Sequence, residues 1–370
     1  MPSRLSLTIL AARVRAGWKP TLLTLVVASA GGAAFALLGL PAPWMSGALV
    51  AVTVQVLSGV RAKLPEPLRF VCFLVLGASM GTALTPQMMH QAATWPVSMA
   101  FLALSVLGVM GAVTLFLRKV AGWSLATAYY ASAPGALSAV LAMAAASNAD
   151  MRRVAFAQAV RLFLLVALLT QILGRIGGAQ AIPMPAGPVS TALDVALLLL
   201  ASLAGGLLAA WARIPGGILI GALAASGLLH ALDWSHAQVP DALMVPAFVV
   251  LGAGVGIRFK GTTLATLKDC LLASLGAFLV ALAISLACAV AAAAITGEDL
   301  GQMITAFAPG ALETMTVLGF ALGYDPAFMS AHHIFRFAGI SVVLPLFAHL
   351  LFQAGHGDEA PEKDPPSKVE

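Results

Sequence analysis

Charged side chains are scarce in this sequence. Asp, Glu, Lys and Arg make up 9% of the 370 residues, whereas hydrophobic residues make up 60%. A soluble domain carries roughly 25% charged residues, so the composition excludes an ordinary soluble protein. The formal net charge of +5 is spread over the segments between apolar runs and forms no basic face. Nucleic acid is therefore excluded as a partner.

Reactive motifs are also missing. Cys72, Cys270 and Cys288 lie in or beside apolar runs without metal or redox spacing, which predicts buried, inert thiols. Seven histidines are present, but they form no convincing cluster of copper or iron ligands. No Gly-rich loop ending in Gly-Lys-Ser/Thr appears, so ATP is not expected to supply energy. The sequence predicts no catalytic residue, no metal, no cofactor and hence no enzyme.

Long apolar runs are what the sequence does contain. A helix that crosses a bilayer needs about 20 apolar residues. Stretches near or above this length lie at 21–38, 96–117, 189–211 and 271–296. They predict an all-α polytopic membrane protein. Residues 1–20 hold four basic residues without a convincing cleavage site after them, so a basic cytoplasmic N-terminal segment is expected rather than a signal peptide.

The two halves of the chain resemble each other. Ala-Pro-Gly-Ala-Leu at 133–137 returns at 308–312, and Arg161 returns as Arg336, both 175 residues later. Such a constant spacing indicates a duplication, which in an apolar chain is typical of transporters. The predicted units are a first membrane repeat at 21–174, a linker at 175–189, a second membrane repeat at 190–353 and a disordered polar tail at 354–370.

The fifth apolar segment of each repeat is interrupted, at Pro134-Gly135 and at Pro309-Gly310. Proline removes a backbone donor and glycine adds freedom, so a broken helix or a re-entrant hairpin is predicted. If both segments return to the side they entered from, all basic residues outside the membrane except Arg175 fall on one face. The positive-inside rule makes that face cytoplasmic. The sequence favours two inverted repeats, each of five spanning helices plus a re-entrant segment, with both termini in the cytoplasm.

Arg161 and Arg336 lie seven or eight residues into the last apolar segment of each half. A cation at full depth costs at least about 2.5 kcal/mol on insertion scales, so a role is expected. Two roles are open: the arginines hold an anionic substrate, or they cap carbonyl groups of the broken helix. Their paired placement favours a substrate site.

The breaks themselves are the other half of the predicted site. Pro134, Gly135, Pro309 and Gly310 interrupt helices, and interrupted helices expose N–H groups and N-termini that favour anions. These four residues are predicted to bind substrate together with the two arginines. The alternative is a packing kink that binds nothing.

Two further residues are candidates for ion coupling. Glu313 follows the second break, and His333 lies one turn before Arg336, at the position that Gln158 holds in the first half. Glu313 is a candidate to take a proton or a sodium ion, or alternatively to pair with Arg336. Metal binding by the adjacent pair His332-His333 is not favoured, because neighbouring residues on a helix point in different directions.

The duplicated Ala-Pro-Gly-Ala-Leu segments are each followed by an aspartate, Asp150 or Asp325, and then by a membrane arginine. This pattern resembles the AbrB family of bacterial membrane proteins over about 21–353. The resemblance implies a multi-pass protein of the bacterial inner membrane. The family name is associated with regulation of gene expression, and many members carry the label ammonia monooxygenase. Nothing in the chain resembles the small soluble DNA-binding regulators that are also called AbrB.

The first functional hypothesis is a secondary transporter of a small anionic solute, bound between the two breaks and coupled to H⁺ or Na⁺. The layout also resembles elevator-type transporters, although a fold does not fix a substrate. The second hypothesis is a membrane regulator or sensor that acts on gene expression through a partner. A membrane oxygenase is the least favoured. The expected partners are the solute and the lipid bilayer, and a homodimer is left open.

Overall fold

The computed structural model describes residues 4–40, 42–82, 95–135, 137–176, 190–214 and 216–353. Every regular element in these ranges is helical. Most of the predicted linker and the whole predicted tail lie outside the described residues, as does Ala136 in the first break.

Eight α-helices of the first half lie in the described ranges. A five-residue π-helical stretch, Leu165–Leu169, joins the last two of them into one continuous helix. The helices are α1 Arg4–Leu37, α2 Pro43–Leu57, α3 Glu66–Gly81, α4 Trp95–Lys119, α5 Leu125–Ser132, α6 Leu137–Ala145, α7 Met151–Leu164 and α8 Thr170–Ile176.

The second half repeats this order. A single 3₁₀ turn, Ile257–Phe259, follows its third helix. The helices are α9 Ala192–Trp211, α10 Gly217–Ala231, α11 Asp241–Gly256, α12 Leu264–Thr296, α13 Leu300–Phe307, α14 Leu312–Ala321 and α15 Pro326–Gln353.

Within the part of the chain that the structure describes, seven helical stretches are long and apolar enough to cross a membrane. They belong to α1, α4, α7 with α8, α9, α11 with its 3₁₀ turn, α12 and α15. The protein is therefore an all-α, multi-pass membrane protein, as its composition predicts. Helices α2, α3 and α10 have 15 or 16 residues, somewhat short of a full span. The count of ten spanning helices stays a prediction.

Each interrupted segment folds back on itself. Its limbs, α5 with α6 and α13 with α14, have only eight to ten residues, or roughly 12–15 Å of helix. The N–H of Asp150, beyond α6, donates to Oγ1 of Thr127 near the start of α5 at 2.9 Å. At the equivalent place, the N–H of Asp325 donates to Oε1 of Gln302 at 3.0 Å. We call these two segments the first and second hairpins.

Short polar side chains fix the ends of the hairpins. Ser124 and Asp299 cap α5 and α13, each accepting a bond from a backbone N–H in the first turn. Asp150 accepts from the N–H groups of Arg152 and Arg153 at the start of α7. Asp325 accepts from Ala327 at 2.7 Å. The two aspartates are therefore helix caps as well as hairpin closures.

Two main groups of buried residues hold the helices together. The first group packs α4 and α12 with α5, α6, α7, α13 and α15. The second packs α2, α3, α10 and α11 with the π-helical stretch and α14. The second hairpin therefore stands at the boundary, because α13 belongs to the first group and α14 to the second.

Equivalent helices of the two halves run in opposite directions where they meet. On α4 and α12, Ser105 Oγ lies 3.5 Å from Ser285 Oγ. Eleven residues further along α4, the ring of Phe116 fills the space beside Gly276, nine residues earlier on α12. Contacts that advance on one helix and recede on the other define an antiparallel pair.

The halves also exchange matching contacts. Gly77 of α3 lies against the carbonyl group of Leu219 on α10, and Gly252 of α11 lies against the carbonyl group of Met45 on α2. A Cβ at either glycine would overlap that carbonyl group, so only glycine permits the close approach. Each half thus places its third helix against the second helix of the other half.

Candidate functional site

The tips of the two hairpins meet. A Cβ built on Gly135 would lie 3.4 Å from the carbonyl oxygen of Gly310. Gly135 has φ +89°, in a region that side-chain-bearing residues rarely adopt. Pro134, Pro309 and Gly310 are buried beside it. The duplicated motif therefore brings two stretches of non-helical backbone together.

Arg161 is almost fully buried and donates to the end of α5. Its Nη1 lies 3.3 Å from the carbonyl oxygen of Ser132, and its Nη2 lies 2.9 Å from that of Ala133. Nη2 also donates to Oε1 of Gln158. The amide of Gln158 in turn donates to Ala133 at 2.9 Å. The guanidinium thus neutralises the partial negative charge where α5 stops.

Arg336 repeats this arrangement in the second hairpin. Its Nη1 donates to the carbonyl oxygen of Ala308, and its Nη2 donates to that of Gly310 at 2.7 Å. Of the two roles that the sequence left open for the arginines, carbonyl capping is the one these bonds display. Both arginines hold the shape of the breaks.

The halves differ one turn before these arginines. His333 occupies the position of Gln158 and is fully buried, but neither ring nitrogen has a hydrogen-bond partner among the described residues. The neighbouring His332 is satisfied, because its Nε2 pairs with Ser98 Oγ at 2.7 Å and its Nδ1 with the carbonyl oxygen of Phe328 at 2.8 Å. His332 therefore ties α15 to α4, and His333 is left as a buried polar group without a visible structural purpose.

A cleft of about 230 Å³ lies between the hairpin tips. We call it the break cleft. Both breaks contribute to its wall, together with one side chain from beyond α11. The lining residues include Gly135, Gln158, Arg161, Arg258, Pro309 and Gly310.

A second cleft, of about 390 Å³, adjoins it. We call it the side cleft. It lies between α3, the end of α11 and the start of α14. The lining residues include Arg69, Cys72, Gly254, Arg258, Glu313 and Thr314.

Arg258 lines both clefts and therefore stands where they adjoin. Among the described residues it has no hydrogen bond and no ion pair. Arg69 is different, since its Nη1 lies 2.8 Å from Glu66 and its guanidinium lies over the ring of Phe73. Arg258 is consequently the cation of the clefts that is left to meet a ligand.

The predicted site residues are brought together only in part. Gly135, Arg161, Pro309 and Gly310 line the break cleft, and Glu313 lines the side cleft. The residues that line neither cleft are Pro134, Arg336 and His333.

Sequence reasoning missed Arg258 because it counted this residue among the basic residues of a cytoplasmic loop. The 3₁₀ turn Ile257–Phe259 extends α11 and keeps the side chain half-buried at the end of that helix. One signal was available. At the spacing of 175 residues, position 258 matches Ala83, so the charge at 258 is particular to the second half.

The described residues contain no group of three or more His, Cys, Asp or Glu side chains placed to hold a metal ion. The polar lining of the two clefts consists of guanidinium groups, one carboxylate, the side chains of Gln158, Cys72 and Thr314, and backbone groups. Guanidinium and carboxylate groups are suited to charge-assisted hydrogen bonds.

Comparison with protein families assigns the chain. The model of the family described as "Transition state regulatory protein AbrB" matches residues 44–352. The chain belongs to the AbrB family. A similar protein is the "Putative regulator AbrB" of Escherichia coli (strain K12), which is 24% identical over 328 residues and aligns with 84% of this chain and 90% of its own length. The matched region contains both hairpins and both buried arginines.

Proposed function

We propose that this AbrB-family protein is a secondary transporter of a small anionic solute in the bacterial inner membrane. The observation that carries the proposal is the meeting of the two hairpin tips around the break cleft. Non-helical backbone at membrane depth is tolerated where protein buries it or where it lines a watery cavity. Solute sites of transporters built from inverted repeats lie at such discontinuous helices, near the bilayer midplane.

The predicted residues have three roles in this proposal. Arg161 and Arg336 neutralise the carbonyl ends of α5 and α13, which would otherwise repel an anion. Gly135 and Gly310 let the two backbones approach each other and a solute closely. Glu313 and His333 are the candidates for H⁺ or Na⁺ coupling.

The antiparallel pairing of α4 with α12 supports an inverted arrangement of the repeats. Two equivalent helices that run in opposite directions are related by an axis across their length, and such an axis lies in the membrane plane. The distribution of basic residues supports a cytoplasmic position for both termini. The side cleft, with Arg69 and Arg258, then opens toward the cytoplasm.

A second candidate is a membrane regulator, which the name of the Escherichia coli relative favours. It would use the same clefts to sense a solute and would signal through a cytoplasmic partner. Its distinguishing property is ligand binding without net flux.

Uptake by proteoliposomes that contain the purified full-length protein tests the proposal. Charge movement and radiotracer uptake would be measured for small organic acids under imposed H⁺ and Na⁺ gradients. Flux above that of protein-free liposomes supports transport. Thermal stabilisation by a solute that is never translocated would reject the transporter and favour the regulator.

A further inference from the structure

Arg258 and Glu313 form an unusual pair. Both line the side cleft, and among the described residues neither has a hydrogen bond or an ion pair, even with the other. Opposite charges that line the same cleft attract each other, so two such groups that stay apart leave a space that a polar ligand can enter. The space between Arg258 and Glu313 is a candidate binding site that the sequence alone did not predict.

The two side chains come from different helices of the second packing group. Arg258 follows α11, whereas Glu313 stands in the first turn of α14, directly after the second break. Carbon atoms of the Glu313 side chain lie beside Gly216, the residue that caps the N-terminus of α10. An ionised carboxylate is favoured at that helix end, so Glu313 has a reason to remain separate from Arg258.

We propose that Arg258 binds the carboxylate of the transported solute, while Glu313 binds a positive charge that must be present at the same time. This inference rests on the proposed transport function and specifies its substrate class. Guanidinium groups pair with carboxylates in a planar, two-pronged geometry, which makes Arg258 selective for that group. Its place at the junction of the clefts lets it receive the solute from the side cleft and present it to the hairpin tips.

The requirement for a positive charge follows from the charges that line the cleft. Arg69 is paired with Glu66, and Cys72 is the other titratable group in the lining, so Arg258 and Glu313 are left as one positive and one negative charge. A carboxylate on Arg258 would then lie in the same small cleft as the negative charge of Glu313. A cation on Glu313 removes that repulsion, so the two ligands strengthen each other's binding reciprocally.

Either of two sources can supply the positive charge that Glu313 binds. It is either a free H⁺ or Na⁺, which makes the solute a simple carboxylate, or the ammonium group of the solute itself, which makes the solute an amino acid. Binding of acetate, succinate, glycine and alanine to the purified protein, measured by thermal shift and calorimetry at several pH and Na⁺ values, separates the two.

Substitutions test the roles proposed for Arg258 and Glu313. Arg258→Gln should weaken carboxylate binding at least about tenfold, the size expected from losing a charged hydrogen bond in a cleft. The matched control Arg69→Gln removes a cation from the same cleft, but one that already has a partner, and should change binding less than about threefold. Glu313→Gln should abolish the dependence of acetate or succinate binding on pH and Na⁺. If the solute is an amino acid, this variant should instead weaken glycine or alanine binding about tenfold.

A second measurement avoids the need for a folded variant. Phenylglyoxal modifies exposed arginines, and mass spectrometry of the wild-type protein would locate the adduct. Bound solute should protect Arg258 and leave Arg69 reactive. Unchanged affinity in Arg258→Gln, or no protection of Arg258, overturns the inference while transport by the wild type still stands. Absence of binding and flux with every solute overturns the proposed function itself.

Discussion

Gln158 and His333 occupy equivalent positions in the two halves, but only Gln158 forms side-chain hydrogen bonds among the described residues. The amide of Gln158 donates to two carbonyl oxygens at the end of α5, those of Tyr130 and Ala133, at 3.2 and 2.9 Å. His333 is buried to the same depth and has no partner for either ring nitrogen among the described residues. At this pair of equivalent positions, the second half alone has an unsatisfied side chain among the described residues.

Replacement of His333 by glutamine should therefore stabilise the protein. The new amide would reach the carbonyl groups that match those bound by Gln158, which removes the cost of an unsatisfied buried polar group, about 1–3 kcal/mol. Thermal unfolding in detergent measures the change. The mirror variant Gln158→His should destabilise by a similar amount. If His333 takes part in coupling, His333→Gln should also lose proton-dependent flux. A less stable His333→Gln protein would contradict the conclusion that His333 is a destabilising, unsatisfied group.

Arg161 and Arg336 should be of similar importance for folding. Arg336→Met removes the side-chain donor of the Gly310 carbonyl oxygen, whereas the carbonyl oxygen of Ala308 still accepts from the N–H of Gly310 at 2.8 Å. Arg161→Met likewise removes the side-chain donor of the Ser132 carbonyl oxygen, whereas that of Ala133 still accepts from Gln158. Each variant should lose about 1–3 kcal/mol. Unfolding midpoints of the two variants in one detergent give the comparison, and a loss confined to one of them would contradict this expectation.

The two break glycines should respond differently to alanine. Gly135→Ala forces a side chain into a positive-φ conformation, which costs about 1–2 kcal/mol, and brings a Cβ toward the carbonyl oxygen of Gly310. At Gly310 a Cβ meets the side chain of Met315, which is flexible and can move. We expect Gly135→Ala to lose more stability and more flux than Gly310→Ala. The reverse order would mean that the tip geometry at Gly135 is not required.

Opposite orientation of the repeats can be measured directly. In a variant without the native cysteines, Arg152→Cys should react with a membrane-impermeant reagent from the cytoplasmic side. Ala327→Cys, at the equivalent turn after the second hairpin, should react from the periplasmic side. Labelling of both positions from one side would refute the inverted arrangement.

Asp325 should give the protein a pH-dependent stability. Burial raises the pKa of this carboxyl group above its usual value of 3.8, so the folded state favours the protonated form. Stability conferred by this group is complete below pH 3.8 and is lost as the pH rises through the folded pKa. Relative to Asp325→Asn, which keeps the hydrogen-bond acceptor for Ala327, the wild type should lose stability over that range. Parallel unfolding profiles would contradict this.

Much of the fold follows from the sequence because its signals are local or periodic. Apolar runs predict the spanning helices, the constant spacing predicts the duplication, and Pro134-Gly135 with Pro309-Gly310 predict the breaks. The aspartates at 150 and 325, which follow the two interrupted segments in the sequence, are helix caps.

The site was less predictable because it depends on which groups remain unpaired. An arginine in an apolar run signals a special position, but the sequence does not reveal that Arg336 is already occupied by the carbonyl groups of Ala308 and Gly310. Arg258 was not predicted as a site residue, because it follows the end of α11 among other basic residues. Its availability arises from tertiary packing, which brings it beside Glu313 without joining the two.

The arginine that fastens each hairpin lies downstream of it, in the next helix to be synthesised. The limbs of eight to ten residues are too short to span a bilayer by themselves, and the guanidinium donors to the carbonyl groups at their tips come only with Arg161 or Arg336. We expect a chain that ends between hairpin and arginine to hold its hairpin less stably. Because each arginine follows its hairpin in the chain, the hairpin gains these hydrogen bonds only after the next helix has been synthesised.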